Sequence, residues 1–117
     1  MAERSFKKEI EDLKLGHGEV FTGEGILAIT KALLESGVGY VGGYQGAPIS
    51  HLMDVLADAE DLLSDLGVRY EANASEAAAA AMLAASVHYP IRGAVTFKGS
   101  VGVNVASDAL ANLASSG

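Results

Sequence analysis

Cysteine and tryptophan are both missing from the 117 residues. Without thiols this chain by itself builds no disulfide, no iron–sulfur cluster and no thiolate zinc site. Positive charge is short: 8 Lys and Arg face 15 Asp and Glu, a formal net charge of -7. That speaks against nucleic acid and against anionic membrane surfaces, both of which call for a basic face. The longest apolar run, AAAAAMLAASV, is too short and too rich in alanine to span a bilayer. The opening, MAERSFKKEIEDLKLG, is charged and lacks an apolar signal core. A cytoplasmic protein is therefore expected, in which the sequon Asn73-Ala74-Ser75 carries no sugar. No Walker A, G-x-S-x-G or H-E-x-x-H pattern occurs. His17, His51 and His88 show no ligand spacing, so no metal site is expected from them.

What is there is apolar and ordered in pattern. Half the residues are hydrophobic, enough for the core of one domain. Residues 1–23 read as a polar lead-in, with a short helix at 5–13. From 24 to 117 the pattern becomes that of a partial α/β domain. GEGILAITKALLES carries apolar residues at helical spacing and predicts a helix over 24–36. Strands follow at 38–43, 68–72 and 92–97. Between and after them lie helices at 50–64 with Ser50 as N-cap, at 75–88 ended by Pro90, and at 101–115. Strands alternating with helices predict an α/β fold of three layers around a parallel sheet. Three strands make a thin sheet with an exposed edge, so a longer polypeptide or a completing partner is expected.

Gly37, Gly39 and Gly42 spell G-x-G-x-x-G. The dinucleotide reading requires those glycines to follow a strand and open a helix. Here they end a helix and enter a strand, with Gly37 placed as a C-cap glycine. The chemistry is expected instead where a parallel sheet converges its loops, at the C-terminal ends of the strands. Those loops are 44–49, 73–76 and 98–104. Glu76 stands in the first turn of the alanine-rich helix, where a carboxylate complements the helix dipole without any further role. Because alanines follow it, it is also placed to face a sparsely polar pocket and share a proton with a ligand nitrogen. Lys98 and Gly99 directly follow a strand, where a turn with a solvated lysine and a ligand-binding loop are both open readings. Asn104 is placed either to cap the last helix or to reach a ligand. His51 follows the GYQGAPIS loop and carries no sharper assignment.

Taken in order, GEGILAITKALLESGVGYVGGYQGAPIS, SEAAAAAMLAAS and GAVTFKGSVGVNVASDALANLASSG resemble the start of indolepyruvate ferredoxin oxidoreductase. More broadly they are similar to the pyrimidine-binding domain of the thiamine diphosphate-dependent 2-oxoacid:ferredoxin oxidoreductases, a Rossmann-like fold. The resemblance runs from about Gly23 to Gly117. It implies that Glu76 is the carboxylate bonded to the pyrimidine ring nitrogen, stabilising the tautomer that activates the cofactor. It implies that Lys98, Gly99 and Asn104 lie on the cofactor side and that Tyr44, Gln45, Gly46, Ala47 and Pro48 form the substrate-side loop. Ala47 stands where pyruvate enzymes of the family carry a threonine, which leaves the substrate open. Gly99 and Ser100 add one residue to the family's spacing between Lys98 and Val101. The magnesium–diphosphate signature and the electron-transfer cysteines are absent from this chain. The resemblance therefore implies that magnesium and diphosphate are held by another domain. It also implies that the iron–sulfur cluster and coenzyme A belong to the complete enzyme, and that these 117 residues alone are inactive. Ferredoxin, an arylpyruvate and further domains or subunits of an oligomer are the implied partners. The competing reading is a non-catalytic α/β interaction or oligomerisation module that has kept the fold.

Overall fold

The computed structural model describes residues 5–89 and 91–115. Pro90, expected to end the alanine helix, lies outside them, as do the outermost residues of the two expected segments, 1–4 and 116–117. The order of elements is a 3-10 helix (Glu9–Lys14), α1 (Gly25–Glu35), β1 (Val38–Gly43), α2 (Ser50–Asp58), α3 (Glu60–Leu66), β2 (Arg69–Ala72), α4 (Glu76–Ala85), a 3-10 turn (Ser86–His88), β3 (Arg92–Thr96), α5 (Gly99–Val105) and α6 (Ser107–Ser115). The three strands form one parallel sheet in the order β2-β1-β3. This is the expected α/β fold.

β1 is central and nearly all buried, while both outer strands are half exposed. After an irregularity between Val38 and Tyr40, its side chains alternate between the two faces. Val41 joins Leu27, Leu52, Val55, Leu56 and Leu63 in the main apolar core. On the other face the Tyr40 hydroxyl donates to the Met82 carbonyl of α4 (3.1 Å). The second face is built from small residues: Ala79 and Ala80 of α4 are fully buried, as is Ala106 between α5 and α6. Alanines there let α4 lie close to the sheet. Gly37 follows α1 with φ +78°, the left-handed conformation of a helix-ending glycine. The rest of the G-x-G-x-x-G string lies in the strand, so it opens no helix.

Three expectations need correction. The helices read at 50–64 and 101–115 are each two helices. The breaks fall at Ala59 (φ -93°, ψ 15°) and Ala106 (φ -94°, ψ 10°), both buried. Bonds such as Leu63 N–H to the Ala59 carbonyl (2.9 Å) carry the chain around the first bend. At the first bend Leu52, Met53, Val55 and Leu56 of α2 and Leu63 of α3 are all buried, where one straight helix would rotate its stripe away. Ser50 is no N-cap: it is the first residue of α2, and Ile49 holds the cap position without a side-chain cap bond. The lead-in helix is a 3-10 helix at Glu9–Lys14. Its segment contributes Phe6, Ile10 and Leu13 to the main core. The Phe6 N–H donates to Asp58 Oδ2 of α2 (2.8 Å).

Tyr70 of β2 lines a cavity of about 420 Å³ with Ala57, Leu63 and Val68. Burial raises its hydroxyl pKa above the ordinary 10.0, and the negative charge of Asp54 adds to the rise. The unfolded chain ionises Tyr70 at the lower pH. The stability this neutral phenol contributes is therefore complete below 10.0 and is lost as pH climbs through the folded-state value. Melting temperature should fall less steeply above pH 10.0 in Tyr70→Phe than in the parent. Equal alkaline slopes would remove Tyr70 from the account.

Candidate functional site at the C-terminal edge of the sheet

The loops leaving all three strands are tied together. The Tyr44 N–H donates to the Thr96 carbonyl at the end of β3 (3.0 Å), and the Asn73 N–H donates to the Gly43 carbonyl at the end of β1 (2.8 Å). The Gly43 N–H donates in return to Asn73 Oδ1 (2.9 Å). A Cβ on Gly46 would come within 2.9 Å of Lys98 Cβ, so the 44–49 loop lies directly against the turn after β3. Glycine at 46 is what permits that approach. The Ala47–Pro48 peptide is cis. The Ser50 N–H then returns to the Gly46 carbonyl (3.1 Å), closing the loop onto α2.

Glu76 is the first residue of α4 and is 7% exposed. Ser75 supplies the cap: its side chain accepts from the Ala78 N–H (3.1 Å). Glu76 is thus not spent on capping. Among the described residues its carboxylate has no hydrogen-bond or ion-pair partner, and no side-chain oxygen or nitrogen there is both sealed from solvent and unpartnered. The Glu76 oxygens therefore keep an opening to the outside while the rest of the side chain is covered. An acceptor left free in a mostly covered setting has the chemistry to bind a protonated nitrogen strongly.

The other expected residues are more open. Tyr44 and Gly46 are half-buried; Gln45, Ala47 and Pro48 are exposed. Lys98 is the N-cap residue of α5, exposed, with no hydrogen-bond or ion-pair partner for its ammonium among the described residues. Gly99 is exposed at the start of that helix. Asn104 lies inside α5 and donates to the Ser100 carbonyl (3.1 Å), so it does not cap the final helix. Asn73 is the residue that sequence reasoning placed in a converging loop but gave no role. Its signal was its place, directly between the end of β2 and the cap Ser75.

A second concavity, about 350 Å³ and almost wholly apolar, opens at the opposite end of the sheet between Tyr40, Met82, Tyr89 and Ile91. Among the described residues no group of three or more His, Cys, Asp or Glu is arranged to hold a metal, and no helix is long and apolar enough to cross a membrane.

The fold and this edge define a parallel α/β module with one covered carboxylate at the converging loops. Over 110 residues, 93% of its length, the chain is 34% identical to the indolepyruvate oxidoreductase subunit IorA of Methanothermobacter marburgensis. It spans 17% of that relative's length. No family model matches the chain, and no solved structure does.

Proposed function

We propose that this chain forms the pyrimidine side of the thiamine diphosphate site in a 2-oxoacid:ferredoxin oxidoreductase acting on arylpyruvates of the indolepyruvate kind. The observation that carries the reading is Glu76, a carboxylate 7% exposed, free of protein partners among the described residues and open on its oxygen side. The likeness to the indolepyruvate oxidoreductase subunit supports it.

The residues fit the cofactor. The ring nitrogen of a protonated aminopyrimidine offers one N–H, and Glu76 has unused acceptor capacity. When bound, the cofactor supplies a nucleophilic carbon and an electron sink for loss of carbon dioxide from the 2-oxoacid. Glu76 holds the proton at the ring nitrogen, and such acid–base assistance is typically worth about 10²–10⁴ in rate. Tyr44, Gln45, Gly46, Ala47 and Pro48 border the substrate side. Lys98, Gly99 and Asn104 stand on the cofactor side. In this reading another domain holds magnesium and diphosphate, and the complete cytoplasmic enzyme adds the iron–sulfur cluster, coenzyme A as acyl acceptor and ferredoxin as electron acceptor.

The test uses the longest native polypeptide containing this sequence, purified without oxygen. Thiamine diphosphate, magnesium, coenzyme A and indolepyruvate are expected to drive reduction of a low-potential dye, and omitting the cofactor to stop it. The alternative, a non-catalytic interaction or oligomerisation module, is favoured by Val101, Val103 and Val105 of α5, exposed by 52%, 53% and 50%. A folded, cofactor-loaded protein that reduces no dye with any 2-oxoacid would decide for it.

A further inference from the structure

We infer that Asn73 is the positioning residue that fixes Glu76 against the end of β1, an inference resting on the reading of Glu76 given above. The β1–β2 ladder ends at the pair Gly43↔Ala72. Asn73 extends it with two bonds in opposite senses: its N–H to the Gly43 carbonyl (2.8 Å), and the Gly43 N–H to its Oδ1 (2.9 Å). Gly43 is buried, so its N–H requires a partner. That N–H can only donate, so the side-chain oxygen of Asn73 must face it and the amide nitrogen must turn the other way. There Nδ2 donates to Met82 Sδ in the body of α4 (3.6 Å).

One side chain thus joins the central strand, the β2–α4 turn and the helix that begins with Glu76. Glu76 lies three residues beyond it, after the cap Ser75. The neighbouring Gly42 makes room for the arrangement: a Cβ there would fall 2.8 Å from Asn73 Oδ1 and 2.3 Å from Met82 Cε. The Tyr40 hydroxyl holds the Met82 carbonyl from the same strand, so α4 is pinned at two points. Lateral freedom of the first turn of α4 relative to the 44–49 loop is what these bonds remove. A covered carboxylate must meet one ring nitrogen, and that geometry tolerates little drift.

The test is a double-mutant cycle on the full-length protein, read by calorimetric titration of the apoprotein with thiamine diphosphate and magnesium. Loss of an outer partner that orients a metal ligand typically costs about 10–100-fold, and the same scale is expected for a partner that orients the ligand-binding carboxylate. Asn73→Ala is expected to weaken cofactor binding by that factor when Glu76 is present, and by less than about threefold in the Glu76→Gln background, because coupled residues do not add. Equal losses in both backgrounds, or no loss in either, would overturn the inference. Should Asn73→Ala fail to fold, Asn73→Ser is read in the same cycle, since its hydroxyl stops short of Gly43 and lets water reach that N–H. Parental binding and parental turnover in Glu76→Gln alone would sink the reading of Glu76, and this inference with it. Equal losses in the cycle, with Glu76→Gln itself impaired, would sink only the role of Asn73.

Discussion

Glu76→Gln is expected to cut turnover of the complete enzyme by about 10²–10⁴-fold and to leave the fold intact. Glutamine matches the shape of glutamate but offers a neutral amide where the proposed site calls for an anion. Structurally the exchange is mild. The Ser75 side chain keeps the cap bond to the Ala78 N–H, and the Glu76 carboxylate has no partner to abandon among the described residues. What the fold loses is the attraction between a negative first-turn residue and the helix dipole, about 0.3–1 kcal/mol. Activity and stability should therefore separate cleanly. Dye reduction and the thermal transition, followed on the same preparation, give both. A folded variant with near-parental turnover would remove Glu76 from catalysis and leave it a dipole-complementing residue.

The sequence carried the architecture well because its punctuation is local. β1 runs over Val38–Gly43, the segment its apolar run predicts, and Gly37 takes the left-handed turn its place after a helix demands. The bends at Ala59 and Ala106 were not legible, because alanine is a good helix former and nothing in its own chemistry marks a break. Tertiary burial decides there. The N-terminal segment hid its core residues differently. Phe6, Ile10 and Leu13 recur at i, i+4 and i+7, a helical stripe, but lysines and acids between them dominate the composition.

The candidate site was legible in outline because a parallel sheet sends its loops to one edge whatever the side chains are. Placing Glu76 at the first turn of α4 follows from the strand–cap–helix order alone. The tie between Asn73 and Gly43 spans 30 residues and depends on strand register, which no single stretch of sequence encodes. Read as strand end, clamp and cap, Asn73-Ala74-Ser75 fixes the start of the helix that carries the carboxylate. The contact of Gly46 with Lys98 is of the same kind, a close approach between loops that only the folded chain brings together.

Gly93→Ala is expected to be strongly destabilising. Gly93 lies opposite Tyr40 in the β1–β3 register, and the Tyr40 ring lies over it. A Cβ at 93 would stand 2.2 Å from Tyr40 Cζ, 2.4 Å from Cε1 and 2.4 Å from the hydroxyl oxygen. These are atoms of a rigid ring, so the ring must leave as a whole. Tyr40 is buried, and its hydroxyl is committed to the Met82 carbonyl. Overpacking of this sort costs about 1–3 kcal/mol, and the lost hydrogen bond adds about 1 kcal/mol. For a domain of this size that is a drop of roughly ten degrees in melting temperature. Moving the ring also frees Met82 of α4 from its bond to β1 and leaves only the bond from Asn73, so cofactor affinity should fall along with stability. Gly93→Ala combined with Tyr40→Leu should be less destabilised than the sum of the two single changes, because the smaller side chain gives up the space the methyl group takes. Strict additivity would mean that the ring yields without strain, and that the glycine answers to backbone geometry in the edge strand instead.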